Sequence, residues 1–308
     1  MRYQVEMERL TNQELATLHT SARGHKVVFW NGLLYFVLDG DWPDTHLPSH
    51  VKFSKLNDAI EKSGISPGEC NDFTGVEFDI IQSMLRTNRD TVLIDGGANY
   101  GREGIRYALF RRSLGFDVPT DKPAVIGIEP GPVIHMAQVN VALHNVPEVT
   151  LVHAALSNKV GFTQIGVSNT HTLGGSMAVG THNEWHSMVC RSVTVDSLME
   201  ETEAPVFLKM DVQGAEFLVL EGMKETIERQ PIAGIFEYAP TIMERMGPLD
   251  DFFEILSRIG KVYDLGMNRK QKRALSHAEI KTLTDEIRAR PPEHRCTDLL
   301  VIDSRLET

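Results

Sequence analysis

A glycine-rich turn with an acidic residue at its start is the segment best suited to chemistry. It reads DGGANYG from Asp95 to Gly101 and follows the apolar run 92–94. Such a turn between a strand and a helix lets the backbone approach a nucleotide closely. A dinucleotide fingerprint counted from Gly97 would need glycine at Asn99, and Asp95 would repel a pyrophosphate but attract the sulfonium and ammonium of S-adenosylmethionine. The turn therefore favours S-adenosylmethionine over a nicotinamide dinucleotide, with a simple helix-capping turn as the structural alternative.

A second acidic residue, Glu129, follows the apolar run 124–128 and precedes the sequence PGP. In an open parallel sheet its side chain would project at the carboxyl edge, where a ribose diol is the expected partner. The interval from Asp95 is longer than usual, and we attribute the excess to an inserted polar loop over 116–123. A surface glutamate before a turn is the alternative interpretation.

Short β-rich runs alternate with helical stretches from residue 91 onward. The runs are TVLID, AVIGIE, VTLVHAAL, VFLKMD and IAGIFEY, followed by strands near 261–265 and 298–302. Alternation of this kind predicts a doubly wound α/β fold, with a parallel sheet covered on both faces. Helices are predicted over 75–85, 215–229 and 249–259, and from a Ser276–Glu279 capping box to near Pro291.

The N-terminal part does not follow this alternation. Thr11 and Glu14 form a capping-box pattern that predicts a short helix over 12–20. The Asn31-Gly32 pair between alternating apolar residues predicts a β-hairpin. We therefore divide the chain into an N-terminal cap with helix and hairpin, residues 1–70, and a cofactor-binding domain, residues 71–308.

At this point the sequence resembles the FkbM-type methyltransferases. The resemblance is carried by DGGANYG, IEPGP, LHNVPEVTLVHAALS, VTVDSL and LKMDVQGAE in that order, over about residues 77–237. It implies a class I methyltransferase (Rossmann-like) fold, with a seven-stranded sheet ending in an antiparallel strand, and O-methylation as the usual activity. The cofactor-binding positions predicted from the turn and the resemblance are Asp95, Gly97, Asn99, Gly101 and Glu129, with His153, Ala154 and Ser157 near the adenine.

The catalytic candidates follow the fourth and fifth strands. The family pattern D-V-E-G-A-E is here DVQGAE, from Asp211 to Glu216, and its third residue is Gln213. A neutral amide cannot act as a base and is a weak metal ligand, so that role is in doubt. We expect Asp211 to orient or deprotonate a hydroxyl, with Lys209 as its charge partner. Glu216 and Glu237 complete the catalytic set, although Glu216 also suits a helix N-terminus.

A metal site is not favoured. Asp211 and Glu237 could together hold Mg²⁺, but paired carboxylates are also common in ordinary substrate pockets. His182 and His186 have the i, i+4 spacing of a zinc helix, yet Glu184 stands one place too late for H-E-x-x-H. We interpret the histidine-rich segment 171–186 as part of a substrate lid that could supply a histidine base.

The charge and composition of the chain limit the classes of partner that we expect it to bind. A formal net charge of -11 argues against nucleic-acid binding. We interpret the arginine run between 86 and 112 as a solvated helix face, with contact to an anionic substrate as the alternative. Three scattered cysteines indicate a reducing compartment, and no apolar stretch is long enough for a membrane span, so we expect a soluble cytoplasmic protein.

These observations predict an S-adenosylmethionine-dependent methyltransferase that acts on a hydroxyl of a small molecule, either a sugar or a secondary metabolite. A non-catalytic S-adenosylmethionine-binding protein is the first alternative, because of Gln213. A nicotinamide-dependent oxidoreductase is the second, although the turn disfavours it. No motif identifies the acceptor, and a homo-oligomer is left open.

Overall fold

The computed structural model describes residues 25–39, 41, 47–117, 122–168, 185–266, 269 and 272–306. The helix predicted over 12–20 and most of the histidine-rich segment lie outside these ranges. In chain order the strands are β1 His25–Trp30, β2 Leu33–Leu38, β3 Lys52–Phe53, β4 Val92–Gly96, β5 Val125–Ile128, β6 Val149–Val152, β7 Ala155–Leu156, β8 Gly161–Ser168, β9 Trp185–Val193, β10 Val206–Met210, β11 Ile232–Tyr238, β12 Gly260–Asp264, β13 Arg273–Ala274 and β14 Thr297–Asp303.

The helices cover both faces of the central sheet. They are α1 Leu56–Ser63, α2 Val76–Thr87, α3 Arg102–Ser113, α4 Ile134–His144, α5 Val195–Leu198, α6 Glu216–Glu221, α7 Lys224–Arg229, α8 Pro240–Met243, α9 Leu249–Ile259 and α10 His277–Arg288. Two separate apolar clusters result. One joins α2, α3 and α4 to the N-terminal strands, and the other joins α6, α9 and α10 to the opposite face.

The central sheet has the strand order β13-β12-β14-β11-β10-β4-β5-β6. Strands β11, β10, β4, β5 and β6 are parallel to their neighbours in that series, whereas β14 is antiparallel to both β11 and β12. This confirms the doubly wound α/β prediction. The sheet has one strand more than the seven predicted, because Arg273–Ala274 pairs with the edge strand β12. The antiparallel strand is the last strand along the chain, yet it lies inside the sheet.

Two predicted elements are each divided in the structure. The helix predicted over 215–229 is broken between α6 and α7, where the Gly222 carbonyl accepts the Asp196 N–H at 3.0 Å. A side chain at Gly222 would overlap the Ser157 carbonyl, so the backbone there packs too closely for any residue except glycine. The strand predicted over 149–156 is likewise two strands, since β7 leaves the central sheet and pairs with β9.

The predicted hairpin is confirmed. Strands β1 and β2 are antiparallel with Trp30 opposite Leu33, and Asn31 and Gly32 both have left-handed backbone angles, φ 47° and 73°. These angles are those that an Asn-Gly turn adopts readily. With β3 the hairpin forms a separate three-stranded sheet of order β2-β1-β3, which we call the cap sheet.

Side chains of the main domain hold the free edge of β2. Asn140 on α4 accepts the Phe36 N–H at 2.7 Å and donates to the Phe36 carbonyl at 3.2 Å. Its amide also donates to the Tyr100 carbonyl, while the Tyr100 hydroxyl accepts the Leu38 N–H at 3.3 Å. The unpaired edge of a strand needs such partners, so these contacts fix the hairpin on the domain.

His144, one turn further along α4, adds to this contact. Its Nδ1 accepts the Gly68 N–H at 2.9 Å and its Nε2 bonds the Leu34 carbonyl. The Nε2–H tautomer satisfies both bonds without a positive charge. Burial lowers the pKa of His144 to about 4, so the ring is neutral at physiological pH.

The interpretation of the arginine run as a solvated face is wrong for Arg106 and Arg111, although Arg86 and Arg89 are exposed. Arg106 and Arg111 on α3 are only 3% and 4% exposed. Arg106 pairs with buried Glu103 at 2.9 Å, and Arg111 donates to the Arg89 carbonyl at 2.9 Å. Because α3 is covered by α2 and the cap sheet as well as by the central sheet, it has little exposed face.

No helix in the ranges described above is long and apolar enough to cross a membrane. Cys70, Cys190 and Cys296 are all free thiols.

Candidate functional site

A cavity of about 290 Å³ lies at the carboxyl edge of the central sheet. Five predicted site residues line it together: Asp95 at the end of β4, Gly97 and Asn99 in the turn after it, Glu129 after β5, and Asp211 after β10. Strands β5, β4 and β10 are neighbours in the sheet, so their carboxyl ends converge at one place.

The loop after β4 is tied to both neighbouring strands. The N–H groups of Gly97 and Ala98 both donate to the Ile128 carbonyl at 2.9 Å. Gly97 has φ +77°, and a side chain at this position would overlap the Asp211 carbonyl oxygen. Asn99 is also left-handed, with φ 49°. Glycine is therefore required at position 97 by close backbone packing as well as by backbone conformation.

Asp95 is buried at the start of this loop, with 1% of its surface exposed. Its Oδ2 accepts the Gly104 N–H at 3.1 Å, whereas its Oδ1 has no hydrogen-bond partner among the described residues. Burial raises the pKa of the Asp95 carboxyl to about 6 despite the nearby Lys209 ammonium. An unpaired buried carboxylate oxygen is costly, and a cation bound in the cavity would satisfy it.

Glu129 closes the neighbouring side of the cavity. Its two oxygens accept the N–H groups of Asn99 at 3.0 Å and of Gly131 at 2.7 Å. Burial raises the pKa of Glu129 to about 7, although both hydrogen bonds oppose this. A carboxylate can accept about four hydrogen bonds, so two remain for the hydroxyls of a ligand.

Asp211 has a different environment at the end of β10. Lys209 Nζ lies 3.2 Å from its Oδ2, and the Gln213 amide donates to its Oδ1 at 2.7 Å. Desolvation in the cavity opposes ionisation, but these two donors outweigh it and hold the pKa of Asp211 below its ordinary value. Asp211 is therefore ionised at neutral pH.

Gln213 connects Asp211 to Glu237. Its Nε2 lies 3.4 Å from the Glu237 carboxylate while it donates to Asp211. The charge of Asp211, together with burial, raises the pKa of Glu237 well above its usual range. Glu237 does not line the cavity itself, and it reaches the site through this amide.

Glu216 lies behind the cavity wall. It is 1% exposed, its Oε1 accepts the Val212 N–H at 3.0 Å, and burial raises its pKa to about 8. This contact stabilises the turn between β10 and α6. The position fits the structural alternative considered for Glu216, and its catalytic role stays a prediction.

Four predicted cofactor contacts do not line the cavity. Gly101 packs towards Ala137 of α4, and His153 is exposed with Nε2 3.1 Å from the Pro130 carbonyl. Ala154 and Ser157 are buried, while the residues between them, Ala155 and Leu156, reach the cavity instead. The adenine contacts at His153, Ala154 and Ser157 therefore stay predictions.

Several cavity residues were not predicted. Trp30 and Tyr35 come from the cap hairpin, and Arg102 and Glu103 follow the glycine-rich turn directly. The position of Arg102 and Glu103 next to DGGANYG was a signal that could have been used. No sequence signal connects Trp30 or Tyr35 to a turn that begins 60 or more residues later.

The described residues contain no cluster of three or more histidine, cysteine, aspartate or glutamate side chains able to hold a metal ion. Of the histidine-rich segment, residues 171–184 lie outside the described ranges, so the predicted lid is untested.

The profile of the FkbM methyltransferase domain matches residues 95–267, more than half of the 308-residue chain. No curated protein gives a significant match. Among solved structures, the methyltransferase FkbM from Methylobacillus flagellatus KT has 17% sequence identity and a TM-score of 0.39, covering 68% of this chain and 43% of its own.

A protein from Listeria monocytogenes, assigned to the class I S-adenosylmethionine-dependent methyltransferases, has 11% identity and a TM-score of 0.31, covering 74% of this chain and 58% of its own. The matched region thus spans less than two thirds of both solved chains. The assignment rests on the domain profile, which includes the turn at Asp95, the end of β5 and the end of β10. The chain belongs to the FkbM methyltransferase family.

Proposed function

We propose that this protein is an S-adenosylmethionine-dependent O-methyltransferase that acts on a hydroxyl of a small molecule. The observation that carries the proposal is a pair of buried oxygens, Asp95 Oδ1 and Asn99 Oδ1, that have no hydrogen-bond partner among the described residues and belong to side chains that line the cavity. Both are hydrogen-bond acceptors, and one belongs to a carboxylate. They fit a cationic hydrogen-bond donor, and the ammonium of S-adenosylmethionine is such a group.

The rest of the cavity fits the same cofactor. Glu129 has acceptor capacity left for the two hydroxyls of a ribose, and Leu156 and Ile165 supply apolar wall for a base. The acidic residues also suit the positive charge of a sulfonium. A dinucleotide pyrophosphate, by contrast, would meet both Asp95 and Glu129, so these residues disfavour a nicotinamide cofactor.

When bound, S-adenosylmethionine supplies an activated methyl group on a sulfonium that leaves as a neutral thioether. The chain then needs to hold the acceptor hydroxyl in line and remove its proton. Asp211 lines the cavity, is ionised and keeps 39% of its side chain exposed, so it is available to accept that proton. Lys209 and Gln213 orient its two oxygens.

Because position 213 carries a neutral amide, the proposed mechanism uses no metal ligand at that position. The Gln213 amide lies between two carboxyl groups, and the pKa of Glu237 is raised where that of Asp211 is lowered, so Asp211 is the candidate base of the two. Glu237 then acts through Gln213, by positioning it, and does not contact the acceptor. Mg²⁺ is not needed for this arrangement.

A non-catalytic S-adenosylmethionine-binding protein is the second candidate, and Gln213 in place of a carboxylate is the observation that favours it. The two candidates differ in turnover but share cofactor binding. The acceptor is expected to be a sugar or a secondary metabolite, since the strongly acidic chain is unsuited to a nucleic acid.

The test begins with calorimetric titration of the protein with S-adenosylmethionine, S-adenosylhomocysteine and NAD, with and without chelator. We expect micromolar binding of the first two, none of NAD and no effect of chelator. Binding of NAD alone, or of no ligand, would exclude the proposal. Transfer of an isotopically labelled methyl group to hydroxyl compounds in a metabolite extract then separates enzyme from binding protein. Asp211→Asn is the matched negative control for that transfer.

A further inference from the structure

Arg102 has an incomplete set of partners at the mouth of the cofactor cavity. Its Nη2 pairs with the Glu103 carboxylate, while its Nη1 has no hydrogen-bond partner among the described residues. The guanidinium lies over the Trp30 ring, 4.5 Å from the ring centroid, and the side chain is 22% exposed. Arg102 and Trp30 both line the cavity. A guanidinium held in this way presents one free donor at a fixed position.

The local charges show that Glu103 does not fully occupy Arg102. Glu103 also accepts a hydrogen bond from Arg106 at 2.9 Å, and although burial opposes it, the two arginines lower the pKa of Glu103 to about 2. One carboxylate is thus shared by two guanidinium groups. Arg102 is the member of the pair on the cavity side. An anion in the cavity would bind the donor that Glu103 leaves free.

The free donor lies in the same segment as the two free acceptors. Within the part of the chain that the structure describes, Asp95 Oδ1 and Asn99 Oδ1 lack partners as acceptors, and Arg102 Nη1 lacks one as a donor. All three belong to residues 95–102, which run from the end of β4 through the glycine-rich turn to the first residue of α3. Two acceptors and one cationic donor match the ammonium and the carboxylate of an α-amino acid.

We propose that Arg102, stacked on Trp30 of the cap hairpin, binds the carboxylate of the methionine moiety of S-adenosylmethionine. The assignment rests on the proposed cofactor. Asp95 and Asn99 take the ammonium, and Arg102 takes the carboxylate of the same zwitterion. Trp30 holds the guanidinium plane in place through cation–π contact and shields it from water. The cap sheet thereby becomes part of the cofactor site, because one of its side chains positions a cofactor-binding arginine.

The test compares S-adenosylhomocysteine with the analogue that lacks only its carboxylate, S-adenosyl-3-thiopropylamine, by calorimetry. We expect Arg102→Met to weaken S-adenosylhomocysteine binding about 10- to 100-fold and to leave the analogue within about threefold. Arg102→Lys, which keeps the charge but not the planar fork, should give an intermediate loss. Trp30→Leu should weaken the same ligand severalfold and spare the analogue.

Arg112→Met is the matched control, since Arg112 lies on the same helix, pairs with Glu148 and is remote from the cavity. It should bind both ligands like the unaltered protein. Equal losses for both ligands in Arg102→Met, or no loss for either, would overturn the role of Arg102 while leaving the cofactor in place. If the unaltered protein binds neither ligand, the proposed function itself fails. Circular dichroism of each variant excludes loss of folding.

Discussion

Two aspartates at the ends of neighbouring strands have opposite electrostatic surroundings. Asp95 follows Ile94 in β4 and Asp211 follows Met210 in β10, with Lys209 opposite Asp95 in the sheet register. Burial raises the pKa of Asp95 to about 6, whereas Lys209 and Gln213 hold the pKa of Asp211 below its ordinary value. Lys209 contacts Asp211 directly, and one oxygen of Asp95 has no partner in the described part of the chain.

The difference shows how one sheet edge separates two tasks. A carboxylate with an unpartnered oxygen in a buried place gains most from a cationic ligand, which suits cofactor binding. A carboxylate already stabilised in its ionised form stays available over a wide pH range, which suits proton acceptance from a hydroxyl. On the proposed function, aspartates near the carboxyl ends of two neighbouring strands divide cofactor binding from proton acceptance.

The largest effect is expected for Asp211→Asn. Loss of the base should lower kcat about 100-fold or more, because general-base catalysis contributes about that much. Affinity for S-adenosylhomocysteine should stay within about threefold, since Asp211 does not bind the cofactor in this division of tasks. Turnover with labelled cofactor and calorimetry measure the two quantities. An equal loss of both would remove the distinction between the two aspartates.

Asp95→Asn should show the converse. Affinity for S-adenosylmethionine should fall about 10- to 100-fold, because the charged partner of the ammonium is lost. Without ligand, the Asp95→Asn variant should have a Tm at pH 7 at least about 2 °C above that of the unaltered protein, because the substitution removes a buried charge whose pKa is raised. In the unaltered protein, affinity should decline as the pH falls through about 6, where Asp95 becomes protonated. A variant that binds normally at pH 7 would contradict the assignment.

A smaller effect is expected for Gln213→Glu. This change places a third carboxylate between Asp211 and Glu237, so the pKa of the base should rise. The acidic limb of the kcat profile should move up by about one pH unit, while kcat at pH 7 should change little, because the pKa of Asp211 starts below its ordinary value. Gln213→Met removes the hydrogen bond that helps to lower the pKa of Asp211 but adds no charge, so it should give a smaller shift in the same direction. Unshifted profiles in both variants would exclude an electrostatic role for the amide.

The sequence predicted the central sheet better than the walls of the site. Short apolar runs marked β4, β5 and β10, and the turn chemistry placed Asp95 and Glu129 at converging strand ends. Asn31-Gly32 marked the hairpin because only a few residue pairs suit that turn. These are local signals, and they need no knowledge of what packs against the element.

The features that were missed depend on contacts between distant segments. The interpretation of Arg106 as solvated was wrong because the cap sheet and α2 cover α3. No local sequence pattern indicates that these elements pack on α3. Trp30 and Tyr35 lie in a sequence pattern that is typical of an ordinary strand. Their place in the cavity depends on how β2 docks on α4. The division of strand 149–156 likewise depends on a partner, β9, about 30 residues later.

The side-chain contacts on β2 have a consequence for folding while the chain is being synthesised. Asn140 and His144 are 104 and 110 residues from the backbone groups that they bond. During synthesis from the N-terminus the hairpin leaves the ribosome well before α4, so its outer edge has none of these partners for much of translation. Exposed strand edges favour association with other chains. The interval between hairpin and helix is thus the period in which a nascent chain most needs protection by a chaperone.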